Sequence, residues 1–147
     1  MDLSVRDWER VGAAPAIVFV LMAYVDKKVS DDEREEFSDN WLPRLLKIKI
    51  GSDKQSKKMF QWNLEEAALN VKQLERQNSS VLLESLTNTF SVLNEQCEER
   101  QVEKYREALR ELAEDVASAS GGLFMLIDSV SDDETEMLAR VQHALRG

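Results

Sequence analysis

The longest apolar stretch of the chain runs from Ala13 to Val25 and reads AAPAIVFVLMAYV, without a single charged residue. A stretch with no polar face predicts a helix that is buried on all sides, at the centre of the fold. A short helix around Trp8 is predicted to lead into Gly12. Pro15 then stands near the start of the apolar helix, where its missing N–H costs little. The stretch is shorter than the roughly 20 apolar residues that cross a membrane.

Elsewhere the hydrophobic residues recur at spacings of three and four, which is the period of an α-helix. The clearest stripes are Leu82, Leu86, Phe90 and Leu93, and then Val102, Tyr105, Leu109 and Leu112. Asn63 with Glu66 predicts the start of one helix, and Pro43 predicts the kink or end of an earlier one. No Val/Ile/Thr-rich strand bounded by turns is found. We therefore predict an all-α fold: a single compact bundle of six to eight helices around a buried central helix, formed by residues 1–147 as one domain.

A heptapeptide occurs twice, as VSDDERE at 29–35 and as VSDDETE at 130–136. Each copy predicts a capping box, in which a serine (Ser30 or Ser131) and the glutamate three residues later (Glu33 or Glu134) satisfy each other's backbone N–H. One interpretation is that these carboxylates only stabilise a helix N-terminus.

A second interpretation adds Asp26, at the end of the apolar helix. Carboxylates of Asp26, Asp31, Asp32 and Glu33 that face each other across a turn could bind a divalent cation such as calcium. The spacing is not that of an EF-hand, because Phe37 stands at position 12 counted from Asp26.

The sequence VDKKVSDDE, residues 25–33, resembles the Ala-Asp-Gly-x-Val-Ser-x-x-Glu signature of the TerB-like tellurite-resistance family. ASASGG at 117–122, followed by VSDDE at 130–134, is similar to the closing segment of TerB-like proteins. The resemblance implies a non-enzymatic helical bundle in tellurite resistance or in chemical and envelope stress, with acidic residues that hold divalent metal. By position it assigns Asp26, Glu33 and Glu134. Lys27 replaces the family's glycine, and Ile127 stands where the second aspartate would be, so we expect weak calcium binding.

A basic segment extends from Arg44 to Lys58. It has six basic residues and one acid, so its net charge is +5, while the remainder of the chain carries −14. One interpretation is a solvated surface that balances neighbouring carboxylates. The other is a docking patch for an acidic protein partner or an anionic membrane surface. Its predicted contact residues are Arg44, Lys47, Lys54, Lys57 and Lys58.

The composition of the chain excludes further classes of function. A net charge of −9 opposes binding to a phosphate backbone, so no nucleic-acid partner is expected. The first ten residues contain no apolar leader, and we expect a cytoplasmic protein with no transmembrane span. Cys97 is the only cysteine and His143 the only histidine, and neither has a neighbouring catalytic motif, so no enzyme is expected. The leading hypothesis is a TerB-like module that binds metal, a protein partner or both; the alternative is a purely structural interaction domain without metal.

Overall fold

The protein is described by a computed structural model that covers residues 3–26, 29–120 and 132–147. Its α-helices are α1 (Val5–Ala23), α2 (Asp31–Glu36), α3 (Leu42–Leu45), α4 (Lys54–Leu69), α5 (Val71–Leu74), α6 (Ser79–Gln96), α7 (Glu99–Ser120) and α8 (Asp132–Ala144). A 3₁₀ turn, Tyr24–Asp26, follows α1, and a π-helical turn, Phe37–Trp41, joins α2 to α3. These ranges contain no strand, and the predicted all-α bundle is confirmed.

The central helix is α1. None of the side chains from Ala16 to Ala23 is more than 3% exposed, because α4, α5, α6, α7 and α8 all pack against this helix. An all-round apolar surface needs neighbours on every side, and the bundle supplies them. The predicted position of the apolar stretch at the centre of the fold is thereby confirmed.

The predicted boundary at the start of this helix is wrong. The segment around Trp8 and the apolar stretch form one continuous helix, which Ser4 caps, so Pro15 lies inside it. Proline has no N–H to donate to the carbonyl group of Val11, four residues earlier. The Tyr105 hydroxyl on α7 donates to that carbonyl oxygen instead, at 2.5 Å. A tertiary hydrogen bond therefore satisfies the group that the proline leaves without a helical partner.

The predicted helix start at Asn63 is also wrong. Helix α4 begins at Lys54, and its N-cap is Asp53. Asn63 is buried in the middle of α4, where its side chain donates to the carbonyl oxygen of Met59 at 2.8 Å. A Cβ atom on Gly12 would lie 2.3 Å from the Cβ atom of Asn63, so the glycine allows α1 and α4 to approach each other closely. Asn63 therefore lies at the contact between α1 and α4 and does not cap a helix.

At Pro43, where the sequence predicts a kink or helix end, helical residues continue to Leu45, and a π-helical turn precedes the proline. Because Pro43 cannot donate to the carbonyl of Asp39, the helical hydrogen bonds change register just before it, and the Leu42 N–H donates to the carbonyl oxygen of Phe37. The turn directs Phe37 and Trp41 into the core, where the rings of Phe37 and Phe19 stack with centroids 4.9 Å apart. The predicted cap at Ser131 lies outside the described residues.

Candidate functional site

A cavity of about 660 Å³ lies between the end of α3, the connection Leu46–Asp53 and the first turns of α4. We call it the lysine cavity. Its apolar wall residues are Pro43, Leu46, Ile48, Ile50 and Phe60, its basic wall residues are Lys47, Lys49, Lys54 and Lys57, and its acidic wall residue is Asp53. The lysine side chains are exposed to solvent, whereas Ile50 and Phe60 are each 1% exposed. The cavity therefore combines an apolar floor, accessible at Pro43, Leu46 and Ile48, with a positively charged rim.

The local sequence produces this arrangement. From Leu46 to Ile50 the chain reads Leu-Lys-Ile-Lys-Ile, and after a turn at Leu46 and Lys47 it continues outside any helix. The N–H groups of Lys47 and Ile48 donate to the carbonyl oxygens of Arg44 and Leu45 at 3.3 and 3.1 Å and close this turn. Leu46 and Ile48 are half-buried and Ile50 is buried, while Lys47 and Lys49 are exposed. The alternation therefore separates apolar side chains from charges within five residues.

Three contacts fix the shape of the connection. The Gly51 N–H donates to the side-chain oxygen of Gln101 on α7 at 2.9 Å, and the Gln101 amide donates back to the Gly51 carbonyl at 3.4 Å. Gly51 has φ = 84°, a value that favours glycine. Beyond it, the Asp53 carboxylate accepts the N–H of Ser56 at 3.2 Å and caps α4. The hydrogen bond from the Ser56 side chain lowers the pKa of Asp53, so this cap is a carboxylate at neutral pH.

The four lysines of the rim outnumber its one carboxylate, Asp53, and form no ion pair with any described residue. Across the described ranges, no carboxylate oxygen lies within 4.0 Å of the ammonium groups of Lys47, Lys49, Lys54 or Lys57. The same holds for Lys58, which is exposed on α4 but does not line the cavity. The positive potential of the rim is therefore available for contact with an anionic group.

Unlike these lysines, Arg44 forms specific contacts with neighbouring side chains. Its guanidinium group lies 4.1 Å from the ring centroid of Trp41 and forms an ion pair with Glu111 on α7 at 3.0 Å. The side chain thus helps to hold α3 against α7. Of the five predicted contact residues, three line the cavity, namely Lys47, Lys54 and Lys57, while Arg44 and Lys58 lie outside its wall.

Two residues of the cavity region were absent from the predicted contact set. Lys49 could have been found from the Leu-Lys-Ile-Lys-Ile alternation, which places it on the same face as Lys47. Gln101 lies 50 positions away from Gly51 in the chain, and no local pattern connects the two residues.

The first acidic turn is built as a capping box. Ser30 accepts the Glu33 N–H at 3.1 Å and donates its own N–H to the Glu33 carboxylate at 3.0 Å. Asp31 forms an ion pair with Arg34 at 2.7 Å, and Arg34 also binds Glu75 through two hydrogen bonds of 2.8 and 3.0 Å. The hydrogen bonding of Arg34 to the Glu75 carboxylate, which accepts, is the main cause of the raised pKa of Arg34. The predicted cap at Ser30 is confirmed, and Arg34 ties α2 to the end of α5.

Of the other predicted metal ligands, Asp32 lies within the capping-box turn and Glu134 on α8. Asp32 and Glu33 line a second cavity, of about 270 Å³, together with Glu36 and Asp115, and its apolar walls are formed by Phe19, Phe37, Trp41 and Val116. Glu134 is buried in the first turn of α8, 2% exposed, and α8 contacts the 3₁₀ turn that ends at Asp26.

The described acidic residues do not assemble a cation site by themselves. Among the residues whose positions are described, no three side chains of the Asp, Glu, His or Cys type converge as metal ligands. Asp31 and Glu33 are engaged by Arg34 and Ser30. The predicted calcium site also requires the side chain of Asp26, which lies outside the described part of the structure, so calcium binding stays a prediction.

Cys97 and His143 each lie at the C-terminal end of a helix. Cys97 is the C-cap residue of α6 and is half-buried, and burial raises the pKa of its thiol because the thiolate is poorly solvated there. His143 is exposed in the last turn of α8.

Comparison of the chain with protein-family models, with curated proteins and with solved structures gave no match. The similarity to TerB-like proteins therefore depends on the two sequence segments described above and stays a prediction. Within residues 3–26, 29–120 and 132–147, no helix is both long enough and apolar enough to cross a membrane.

Proposed function

We propose that this protein is a non-enzymatic, TerB-like helical module that acts in a stress or resistance response by binding an acidic protein partner through the lysine cavity. One observation supports this proposal most directly: four lysines surround an apolar cavity and have no acidic partner among the described residues. Its TerB-like character and its context of tellurite or envelope stress come from the sequence resemblance alone.

The lysine cavity lies in a positively charged segment of an otherwise negatively charged chain. In a chain with a net charge of −9, the segment that contains it carries +5. At physiological ionic strength the field of exposed charges is screened beyond roughly 8 Å, so these lysines act on a partner at contact. Complementary charges at an interface orient a partner and exclude others of the wrong sign. An acidic partner is attracted to this face and repelled by the rest of the molecule.

The alternative is a purely structural role, in which the lysines only keep a surface solvated. Exposed ammonium groups often contribute little to stability, and many have no specific partner. The two interpretations differ in one measurable property, because only a binding surface gives saturable and position-dependent affinity for an anionic probe.

The test uses a fluorescein-labelled polyglutamate peptide and fluorescence anisotropy at several salt concentrations. In the cavity variant, Lys47→Glu, Lys54→Glu and Lys57→Glu are combined. In the control variant, Lys72→Glu, Arg76→Glu and Arg100→Glu give the same change in net charge at exposed positions outside the cavity. We expect the parent to bind with a salt-dependent affinity and the cavity variant to lose about tenfold or more, since tenfold corresponds to the loss of a single moderate interaction.

The control variant should retain most of the parent's affinity. Equal losses in the two variants would mean that the peptide responds only to net charge. Absence of saturable binding to the parent would favour the structural alternative. Either result would overturn the proposed function.

A further inference from the structure

We infer that the ligand of the lysine cavity is a protein segment in which carboxylates flank one large apolar side chain. This inference rests on the function proposed above and specifies the chemistry of the partner. The apolar side chain would lie against Pro43, Leu46 and Ile48, the apolar wall residues that remain at least partly exposed, while the carboxylates would meet Lys47, Lys54 and Lys57 at the rim.

The apolar surface of the cavity argues against a ligand that carries only anionic groups. Lys47 and Lys49 alternate with Leu46, Ile48 and Ile50 along the connection, and Leu46 and Ile48 remain partly exposed beside these two charges. A ligand with only carboxylates would leave that apolar surface in contact with water. A ligand that also covers the floor gains from the burial of apolar surface, which is the main favourable contribution in most protein associations.

The size of the cavity favours a ligand larger than a small anion. Its volume of about 660 Å³ falls within the range of about 300–1,000 Å³ that is typical of sites for organic ligands. A single phosphate or carboxylate group would contact one part of the rim and leave the other lysines without a counter-charge. Several residues of a peptide can contact lysines on both the connection and α4.

The surroundings of the cavity favour a peptide over an anionic membrane. A flat lipid surface would contact the exposed lysines but would not fill a cavity of about 660 Å³, which an extended protein segment can enter. Trp62, 64% exposed, could enter a membrane interface. However, the next turn of α4 carries the exposed residues Glu65 and Glu66, which anionic headgroups repel.

The cavity is also held in shape by contacts that require no ligand. Gln101 binds both backbone groups of Gly51, and Ile50 is anchored in the core. A surface that is already ordered loses less conformational freedom on binding. The peptide therefore meets a preformed floor and rim.

The experiment compares two fluorescein-labelled peptides of equal length with the same number of glutamates. One carries a single central leucine, the other a serine in its place. Anisotropy titrations are made with the parent, with the Lys47→Glu, Lys54→Glu, Lys57→Glu variant, and with Ile48→Ser. Sedimentation with vesicles of phosphatidylserine and phosphatidylcholine tests the lipid alternative.

We expect the parent to prefer the leucine peptide by about tenfold or more, as expected when an apolar side chain is buried in one peptide only. Ile48→Ser should reduce this preference and retain the affinity for the serine peptide. The lysine variant should lose affinity for both peptides. Circular dichroism establishes whether the Ile48→Ser variant folds. If it does not, the affinities of the parent for the two peptides still test whether the ligand needs an apolar side chain.

Equal affinity of the parent for the two peptides would overturn this inference and leave the proposed function standing. Lysine-dependent binding to vesicles without a preference between the peptides would also overturn it, in favour of a lipid surface. If neither the peptides nor the vesicles bind, the proposed function itself fails.

Discussion

Tyr105 connects three helices through one side chain. Its hydroxyl donates to the carbonyl oxygen of Val11 on α1, and its ring contacts Phe60 on α4 and Phe90 on α6 with centroid distances of 5.4 and 5.7 Å. The side chain is fully buried, and this desolvation raises the pKa of Tyr105 well above its usual value. The phenol therefore remains a protonated donor throughout the neutral pH range.

Replacing Tyr105 by phenylalanine removes this donor while keeping the ring. We expect the Tyr105→Phe variant to lose about 1–3 kcal/mol of unfolding free energy, since the buried carbonyl of Val11 loses its hydrogen bond. Urea denaturation of both proteins measures the difference.

Pro15→Ala provides the matched background for this substitution. It restores a backbone N–H at position 15, which can donate to the carbonyl of Val11 within the helix. The cost of Tyr105→Phe should be smaller in that background, and the double-mutant cycle measures the coupling. An equal cost in both backgrounds would contradict the assigned relation between Pro15 and Tyr105.

At the scale of secondary-structure elements, two helices begin with the same capping motif. Ser4 and Asp7 form a capping box at the start of α1, and Ser30 and Glu33 form one at the start of α2. Each box satisfies two N–H groups that a helix leaves without partners at its first turn. The acidic side chains Asp31, Asp32 and Glu33 also lie where the helix dipole favours negative charge.

Replacing Ser30 by alanine should reduce the unfolding free energy by about 1 kcal/mol, because the Glu33 N–H loses its acceptor. Ser4→Ala should have a similar effect through Asp7. Ser118→Ala, at an exposed position of α7, serves as the control and should leave the melting temperature close to that of the parent. Unchanged melting temperatures in both cap variants would refute the capping function of these serines.

At the scale of the whole molecule, charge is distributed unevenly. The segment from Arg44 to Lys58 carries +5 and the remaining residues −14. Such an arrangement affects encounters with charged partners more than it affects the fold. The same acidic remainder contains the residues predicted to bind calcium.

Calcium binding is tested by thermal melts with and without millimolar calcium. If Asp26 completes a site with carboxylates of the acidic turn, calcium should raise the melting temperature of the parent but not of Asp26→Asn, because binding to the folded state alone stabilises it. We expect weak affinity, with a Kd of about 10⁻⁴–10⁻³ M, as for undemanding calcium sites. Asp39→Asn removes an exposed carboxylate on the π-helical turn and serves as the control. Equal melting temperatures in all conditions would exclude the predicted site.

Parts of the site could be predicted from the sequence and parts could not. The excess of lysines between Arg44 and Lys58 was visible, and three of the five predicted contact residues line the cavity. The sequence could not separate Arg44 from the others, because its ion pair with Glu111 joins residues 67 positions apart. The cavity itself depends on where Phe60 lies relative to the connection, which is a property of packing.

The sequence by itself determined the helical class, the central position of the apolar stretch and the capping box at Ser30. Each of these depends on residues within a few positions of one another, so local periodicity and hydrogen bonding suffice. Only the tertiary structure decided that α1 continues through Pro15 and that Asn63 lies inside α4. In both cases the deciding contact comes from a distant residue: Tyr105 satisfies the carbonyl of Val11, and Gly12 lets α4 approach. Such contacts depend on the packing of whole helices, which short-range patterns do not specify.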